Sequence, residues 1–348
     1  MRIAFAIPGD MHRRTGGFIY EARVLHALRA LGHDVAHVRL PASFPDPSPA
    51  DAARALARLR AVPADVPILL DGFVPGTVDP DGLARIRAPL VPVIHHPLGL
   101  ETGLPPARAA FLLGNERAAL RHAARIVVPS PHTARILTER FDVSPARLTV
   151  APPGFDMPGG ARRPTAPPLI LSVGILAPRK GHDVLIDALG RIVDLDWRAR
   201  IVGAAHDPAL AAALAGRIER LGLGDRVVLA GEADDAALQA AYAEAAVFAL
   251  ATRYEGYGIV FGEAMKWGLP IVSCRVGAVP ETVGAAGRLV PPDDSTAFAG
   301  ALRAVLTDPA GQAALAAASA RAGAALPHWR DTAGTILAAL AQVAASAR

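Results

Sequence analysis

An α/β protein built from two doubly wound parallel-sheet domains is what this chain predicts, and three observations predict it. Its 348 residues exceed the roughly 250–300 at which a single core stops growing. Each half alternates short apolar runs with stretches of helical periodicity, the rhythm of parallel strands joined by crossover helices. Between the halves, residues 154–168 are rich in proline and glycine and carry no periodicity, as a linker would. We expect domains over 1–157 and 169–326, with the linker at 158–168 between them.

Bulk properties narrow the class. A hydrophobic content of 52% against 20% charged residues describes a well-buried globular chain and argues against disorder. No apolar run approaches the ~20 residues of a spanning helix. Residues 1–8 are too short for a signal-peptide core and read as a first strand. Cys274 is the single cysteine, so an internal disulfide and a cysteine metal cluster are excluded. The cytoplasm is the expected compartment. The net charge of +4 lies entirely in residues 1–160, where 18 Arg face 14 Asp and Glu. Solvated helix faces account for it first. A peripheral contact with the anionic inner face of a membrane, or an acidic acceptor, comes second. Nucleic acid is not expected, because no aromatic residues interleave with the arginines.

In chain order, residues 2–7 form a strand, 8–17 a loop ending in Thr15-Gly16-Gly17, and 18–32 a helix closing on Gly32. Strands follow at 34–40, 66–70, 90–94, 125–128 and 148–151, with helices ending near 60 and spanning 108–122 and 133–141. The second half places strands at 169–173, 197–202, 226–229, 247–250 and 271–273. It ends in a long Ala-rich amphipathic helix. Loops at the carboxyl ends of such strands converge on a ligand cleft.

Three of those loops have unusual chemistry. Arg179-Lys180-Gly181 precedes a helix start, where fixed charge, free N–H groups and the helix dipole all favour phosphate. In Gly256-Tyr257-Gly258, followed by Ile259, the glycines let backbone amides approach an anion closely. Gly231-Glu232, at a strand end, leaves room for a flat base. Glu255 and Glu263 are eight residues apart, one in the turn and one on the helix after it, and alone they suggest an acid/base pair. Gripped from two sides, a diphosphate needs no metal, so no metal and no cofactor are expected.

The run Tyr254-Glu-Gly-Tyr-Gly-Ile-Val-Phe-Gly-Glu-Ala-Met265, followed by Gly268-Leu-Pro-Ile-Val272, resembles the signature of retaining glycosyltransferases of the GT-B fold, family 4. So do Leu171-Ser-Val-Gly-Ile-Leu-Ala-Pro-Arg-Lys-Gly181, Gly16-Gly17 before a helix, Gly32-His-Asp-Val35, and the segments around His95, Val128 and Ala151. The resemblance implies two Rossmann-like domains facing a cleft, the first binding acceptor and the second donor. A C-terminal helix over 327–348 would pack back on the first. It implies a nucleotide-sugar donor, UDP- or GDP-linked, and a saccharide, lipid-linked or small-molecule acceptor. Arg179 and Lys180 would neutralise the leaving diphosphate, Glu255 would read sugar hydroxyls, and Glu263 the ribose. The amides of Tyr257 to Ile259, with Gly256 and Gly258, would hold sugar and phosphate, and Gly16 and Gly17 would meet the same diphosphate. Gly231 would border the base, and His95 would act near the reacting centre. The chain departs from the family pattern at Ile175, where an arginine is common, and at His96, where an acid is.

Other readings explain less. A glycoside hydrolase uses paired carboxylates but leaves Arg179 and Lys180 without a purpose. Asp79-Pro-Asp81 and Asp194-Leu-Asp196 match a metal-binding Asp-x-Asp formally, yet both fall where solvated residues are expected. A dinucleotide oxidoreductase would place Gly-x-Gly-x-x-Gly after a first strand, and neither half does. A silent nucleotide-sugar-binding partner would have lost Glu255 or a cation, and all are retained.

Overall fold

In the computed structural model, which describes residues 1–346, the chain divides into two compact units. One comprises Met1–Gly154 and the segment from Pro327, the other Phe155–Leu326. The first contains strands β1 (Arg2–Pro8), β2 (Asp34–Leu40), β3 (Ile68–Asp71), β4 (Leu90–Val93), β5 (Ile126–Val128) and β6 (Leu148–Val150). They form one parallel sheet in the order β2-β1-β3-β4-β5-β6. The second contains β7 (Leu169–Val173), β8 (Arg198–Val202), β9 (Val227–Gly231), β10 (Ala245–Leu250), β11 (Ile271–Cys274) and β12 (Gly287–Val290). Its parallel order is β12-β11-β10-β7-β8-β9.

These strands read as continuous apolar runs because helices cover both faces of a parallel sheet. Ile3 to Ile7 of β1 and all of β10 are buried. The prolines are placed rather than scattered. Pro49, Pro106, Pro131, Pro208 and Pro309 each open a helix, where the missing N–H costs nothing. Ser48, Ser130, Asp207 and Asp308 cap four of those helices with side-chain oxygens.

Three local readings shift. The first helix, Gly16–Ala30, starts at Gly16, so the two glycines form its opening turn and not the end of a loop. The helix after Lys180, expected over 183–193, spans His182–Gly190. β12 was not anticipated: Gly287-Arg-Leu-Val290 is an edge strand of four residues, too short to show a period. Residues 162–165 run along the second unit, with Arg163 N–H donating to Ala243 O (2.7 Å) and Arg162 Nη2 to Ala245 O (2.8 Å). The last helix, Trp329–Ser346, belongs to the first unit and packs on Gly16–Ala30. Trp329 meets Tyr20 edge-on at 5.8 Å, and Thr332 donates to Pro152 O at 2.7 Å. Residues 347 and 348 of the expected 327–348 segment lie outside the described residues. No helix among those described is long and apolar enough to cross a membrane.

Topology fixes where chemistry can collect. In the second sheet the strand order reverses between β7 and β10, and ligands of doubly wound sheets bind outside the carboxyl ends at that point. The loop after β7 carries Arg179 and Lys180, and the loop after β10 carries Glu255. In the first sheet the reversal lies between β1 and β3, whose carboxyl ends lead to Gly16 and to Asp71.

Candidate functional site

The corner of the second unit is organised around one buried carboxylate. Leaving β10, the chain passes Ala251 and Thr252 and brings Glu255 back under the loop after β7. Glu255 is 5% exposed. Lys180 Nζ donates to its Oε1 at 2.6 Å, Thr252 Oγ1 donates to the same oxygen at 3.1 Å, and Arg179 Nη1 lies 3.5 Å from Oε2. Burial alone would raise the Glu255 pKa. The Lys180 and Arg179 charges, with the hydrogen bonds, outweigh it and hold the carboxyl below the usual range. Two cations against one anion leave this corner a net positive charge.

Glycines let the backbones come this close. Gly181 has φ +62°, and a Cβ there would stand 1.9 Å from Ala251 O. Gly277 (φ +52°) would put a Cβ 2.4 Å from Glu255 O, the carbonyl that accepts from Ala278 N–H at 2.9 Å. Glu255 is thus held by backbone as well as by charge. Gly258 (φ +85°) forms the N-cap of the helix Ile259–Lys266, so the amides from Ile259 onward are directed out of the turn. Tyr257 stacks on Phe155, with centroids 6.4 Å apart and planes inclined by 29°, and burial lifts its phenol to about 12.

Glu263, one turn into that helix, accepts from the hydroxyl of the fully buried Tyr242 at 2.7 Å. Burial and the Glu263 charge raise the Tyr242 pKa, so the phenol stays a donor. Gly231 ends β9 with φ +68° and open space where a Cβ would point. Its carbonyl accepts from Gly203 N–H at 2.8 Å, and Gly203 could carry no side chain, since a Cβ would meet Gly174 O at 2.0 Å.

The structure therefore brings Arg179, Lys180 and Glu255 into contact, with Gly256, Tyr257, Gly258 and Ile259 continuing from Glu255 along one turn. Glu263 sits on the helix that follows this turn, whereas Gly231 ends the edge strand β9, separated from β7 by β8. Gly16, Gly17 and His95 belong to the first unit, where a Cβ on Gly17 would lie 3.2 Å from His95 Cδ2. Both Asp-x-Asp matches serve local structure: Asp79 caps the helix Pro80–Ala84, and Asp194 is bound by Arg303. Among the described residues no group of three or more His, Cys, Asp or Glu is placed to hold a metal ion.

Sequence reasoning missed Thr252, Tyr242, Gly203, Gly277 and the Arg253–Asp183 pair. Arg253 Nη1 and Nη2 reach Asp183 Oδ1 and Oδ2 at 3.0 and 2.8 Å, and Nε reaches Asp293 at 2.7 Å. That fork ties the β10 loop to the helix behind Lys180. Apart from Thr252, whose partner Glu255 is three residues on, these carry no local signal, because each partner is distant in sequence. Only the buried threonine beside the Arg253–Gly258 turn could have raised suspicion. Arg253→Lys keeps the charge but loses the planar fork, and we expect a stability loss of about 1 kcal/mol in urea unfolding.

Comparison with known proteins adds two kinds of likeness. A family model described as Glycosyltransferase Family 4 matches residues 32–157, and one described as Glycosyl transferases group 1 matches 167–308. The chain is 32% identical over 293 residues to an MMP alpha-(1->4)-mannosyltransferase of Mycolicibacterium hassiacum, covering 77% of this chain and 68% of that one. It is 30% identical over 256 residues to a D-inositol 3-phosphate glycosyltransferase of Kineococcus radiotolerans, covering 64% of this chain and spanning only 58% of that relative's length. In fold it matches the sucrose-phosphate synthase of Thermosynechococcus elongatus with a TM-score of 0.84 at 23% identity, over 99% of both chains. It also matches Anabaena Alr3699/HepE in complex with UDP-glucose, with a TM-score of 0.80 at 19% identity, over 98% of this chain and all of that one.

Proposed function

Because this chain belongs to glycosyltransferase family 4 and has the GT-B fold, we propose that it moves a sugar from a nucleotide-diphosphate donor to a hydroxyl acceptor, with retention and without a metal. One observation supports this above the others: Arg179, Lys180 and Glu255 converge at the strand-order reversal of the second sheet, beside the amides that open the helix Ile259–Lys266.

The division of labour follows from charge. As the glycosidic bond stretches, negative charge grows on the departing diphosphate and positive charge on the sugar ring. Arg179 and Lys180 answer the first, with the amides from Tyr257 to Ile259. Groups held in place before the reaction stabilise such charge without reorganising, and the buried Glu255 fixes the Lys180 ammonium in advance. Glu255 itself accepts from sugar hydroxyls, and Glu263 from the ribose. Gly231 and the open space beside it suit a base. The first unit supplies Gly16, Gly17 and His95 and takes up the acceptor. UDP- and GDP-sugars are the donors of choice, and a saccharide is the first acceptor class.

A thermal-shift panel of UDP-, GDP- and ADP-sugars tests the donor assignment, and stabilisation by at least one is expected. No response to any would sink it. Transfer or donor hydrolysis should persist in EDTA. Its loss there, restored by a divalent cation, would overturn the metal-free mechanism. The anomeric configuration of the product, read by NMR, decides retention.

A further inference from the structure

Three crossovers of the first unit deliver Glu21, Asp71 and His95 to one point. Glu21 lies on the helix after β1, Asp71 ends β3, and His95 follows β4. Glu21 and Asp71 are buried, at 0% and 4% exposure. Asp71 lies against the Glu21 carboxyl, within reach of a hydrogen bond when one of the two keeps its proton. Two carboxylates cannot form that bond, since ionised oxygens only accept. Both Glu21 oxygens are buried, and no N–H or O–H group among the described residues donates to them. Phe73 N–H donates to Asp71 Oδ1 at 2.7 Å. His95 Nε2, itself buried, stands 3.6 Å from Glu21 Oε1, while 26% of the imidazole remains exposed. Tyr20 lies edge-on to His95 at 5.0 Å, with its hydroxyl committed to Ala151 O at 2.8 Å.

We propose that Glu21 and Asp71 hold a single proton between them and act as positioning residues for His95, keeping it in the neutral tautomer with hydrogen on Nε2 and turning Nδ1 outward to accept from a substrate hydroxyl. The balance closes atom by atom. The shared proton runs from Glu21 to Asp71, and the pair carries one negative charge. The second Glu21 oxygen faces His95 Nε2 at 3.6 Å, an electrostatic contact that favours hydrogen on Nε2 and leaves the lone pair on Nδ1. Burial keeps the imidazole from taking a second proton until about pH 4. Burial also lifts Glu21 to about 8 against its ordinary 4.5, and the groups facing it are Asp71, His95 and the Tyr20 phenol. The identity of the hydroxyl rests on the glycosyl-transfer reading above. The tautomer and the shared proton do not.

Two readouts on the full chain, without donor, decide the matter. The first is the imidazole nitrogen spectrum of ¹⁵N-histidine-labelled protein, with the His95 signals identified by their absence in His95→Gln. Wild type should show an Nε2-protonated neutral ring at pH 7 that titrates below pH 5. Glu21→Gln should show it too, because its amide donates to Asp71 while its carbonyl accepts from Nε2–H. Glu21→Leu, where it folds, should show mixed tautomers. The second is thermal unfolding against pH. A Glu whose folded pKa is raised contributes stability that is full below about 4.5 and is lost as pH rises through about 8. Glu21→Gln, which cannot ionise, should therefore gain on wild type by about 5 °C or more in Tm between pH 6 and 9. A wild-type His95 titrating near 6.5 with mixed tautomers, or a Tm difference that does not grow with pH, would overturn the assignment. Absence of any transfer activity would sink the reading above and leave both readouts standing.

Discussion

Glu255→Ala should cost the chain about 3–5 kcal/mol of folding stability, the usual penalty for stranding one partner of a buried pair, and lower transfer by about 10²-fold or more. Both losses have one origin. Lys180 is 9% exposed and its ammonium is held by Glu255 at 2.6 Å. Without the carboxylate it is a buried charge whose nearest anion is gone. Arg179, 3.5 Å from the other oxygen, loses that ion pair while keeping its hydrogen bond to Tyr254 O. A second variant separates structure from chemistry. Lys180→Met combined with Glu255→Leu replaces the pair by apolar groups of similar volume, which is often neutral for stability, and should unfold near the wild-type Tm while remaining inactive. If the double variant transferred sugar, the electrostatic account of this corner would fail. The pH dependence has a definite sign. Glu255 has a depressed pKa, so its contribution is present above about pH 4.5, the ordinary glutamate value, and is lost as pH falls through the lower folded value. Glu255→Ala should lack that acid limb in unfolding curves taken from pH 7 down to pH 3.

Gly181→Ala is the second large effect. The residue stands between the two cations and the helix His182–Gly190 with φ +62°, a region that costs a residue with a side chain about 1–3 kcal/mol. The added methyl would also stand 1.9 Å from Ala251 O, so the β7 loop or the β10 end must move. Either movement displaces Lys180 from Glu255, so donor binding should fall together with Tm. Gly222→Ala is the control. Its φ is +66° but nothing lies within 4 Å of the added carbon, so it should show the backbone cost alone and leave donor affinity unchanged. Equal losses in Tm and in donor affinity from the two variants would mean that the contact with Ala251 does not hold the site together.

Much of this was legible in the chain. The two sheets follow from apolar runs at strand length separated by helical periodicity, and the strand ends at Asp71, His95 and Gly231 fall where the pattern breaks. That Arg179, Lys180 and the turn after Glu255 gather at strand ends of the second sheet was also legible, and their roles toward an anion and hydroxyls are part of the proposal above. The exceptions are instructive. Gly16 and Gly17 looked like loop because glycine disfavours helix, yet they open one. With His95 packed against Gly17, a side chain there would crowd the imidazole. Glu21 carries no signal of its own in the sequence, and it is fully buried beside Asp71.

What the sequence determined by itself is everything governed by neighbours along the chain: the strand and helix rhythm, the helix starts at proline and capping residues, and the residue types gathered at the strand ends. What the tertiary structure decided is pairing across long separations. Lys180 and Glu255 are 75 residues apart, and Glu21 and Asp71 are 50 apart. No period or propensity encodes such distances. They close because two parallel sheets reverse their strand order beside β7 and β1, and burial at those points makes a charged group costly unless the fold delivers partners to it.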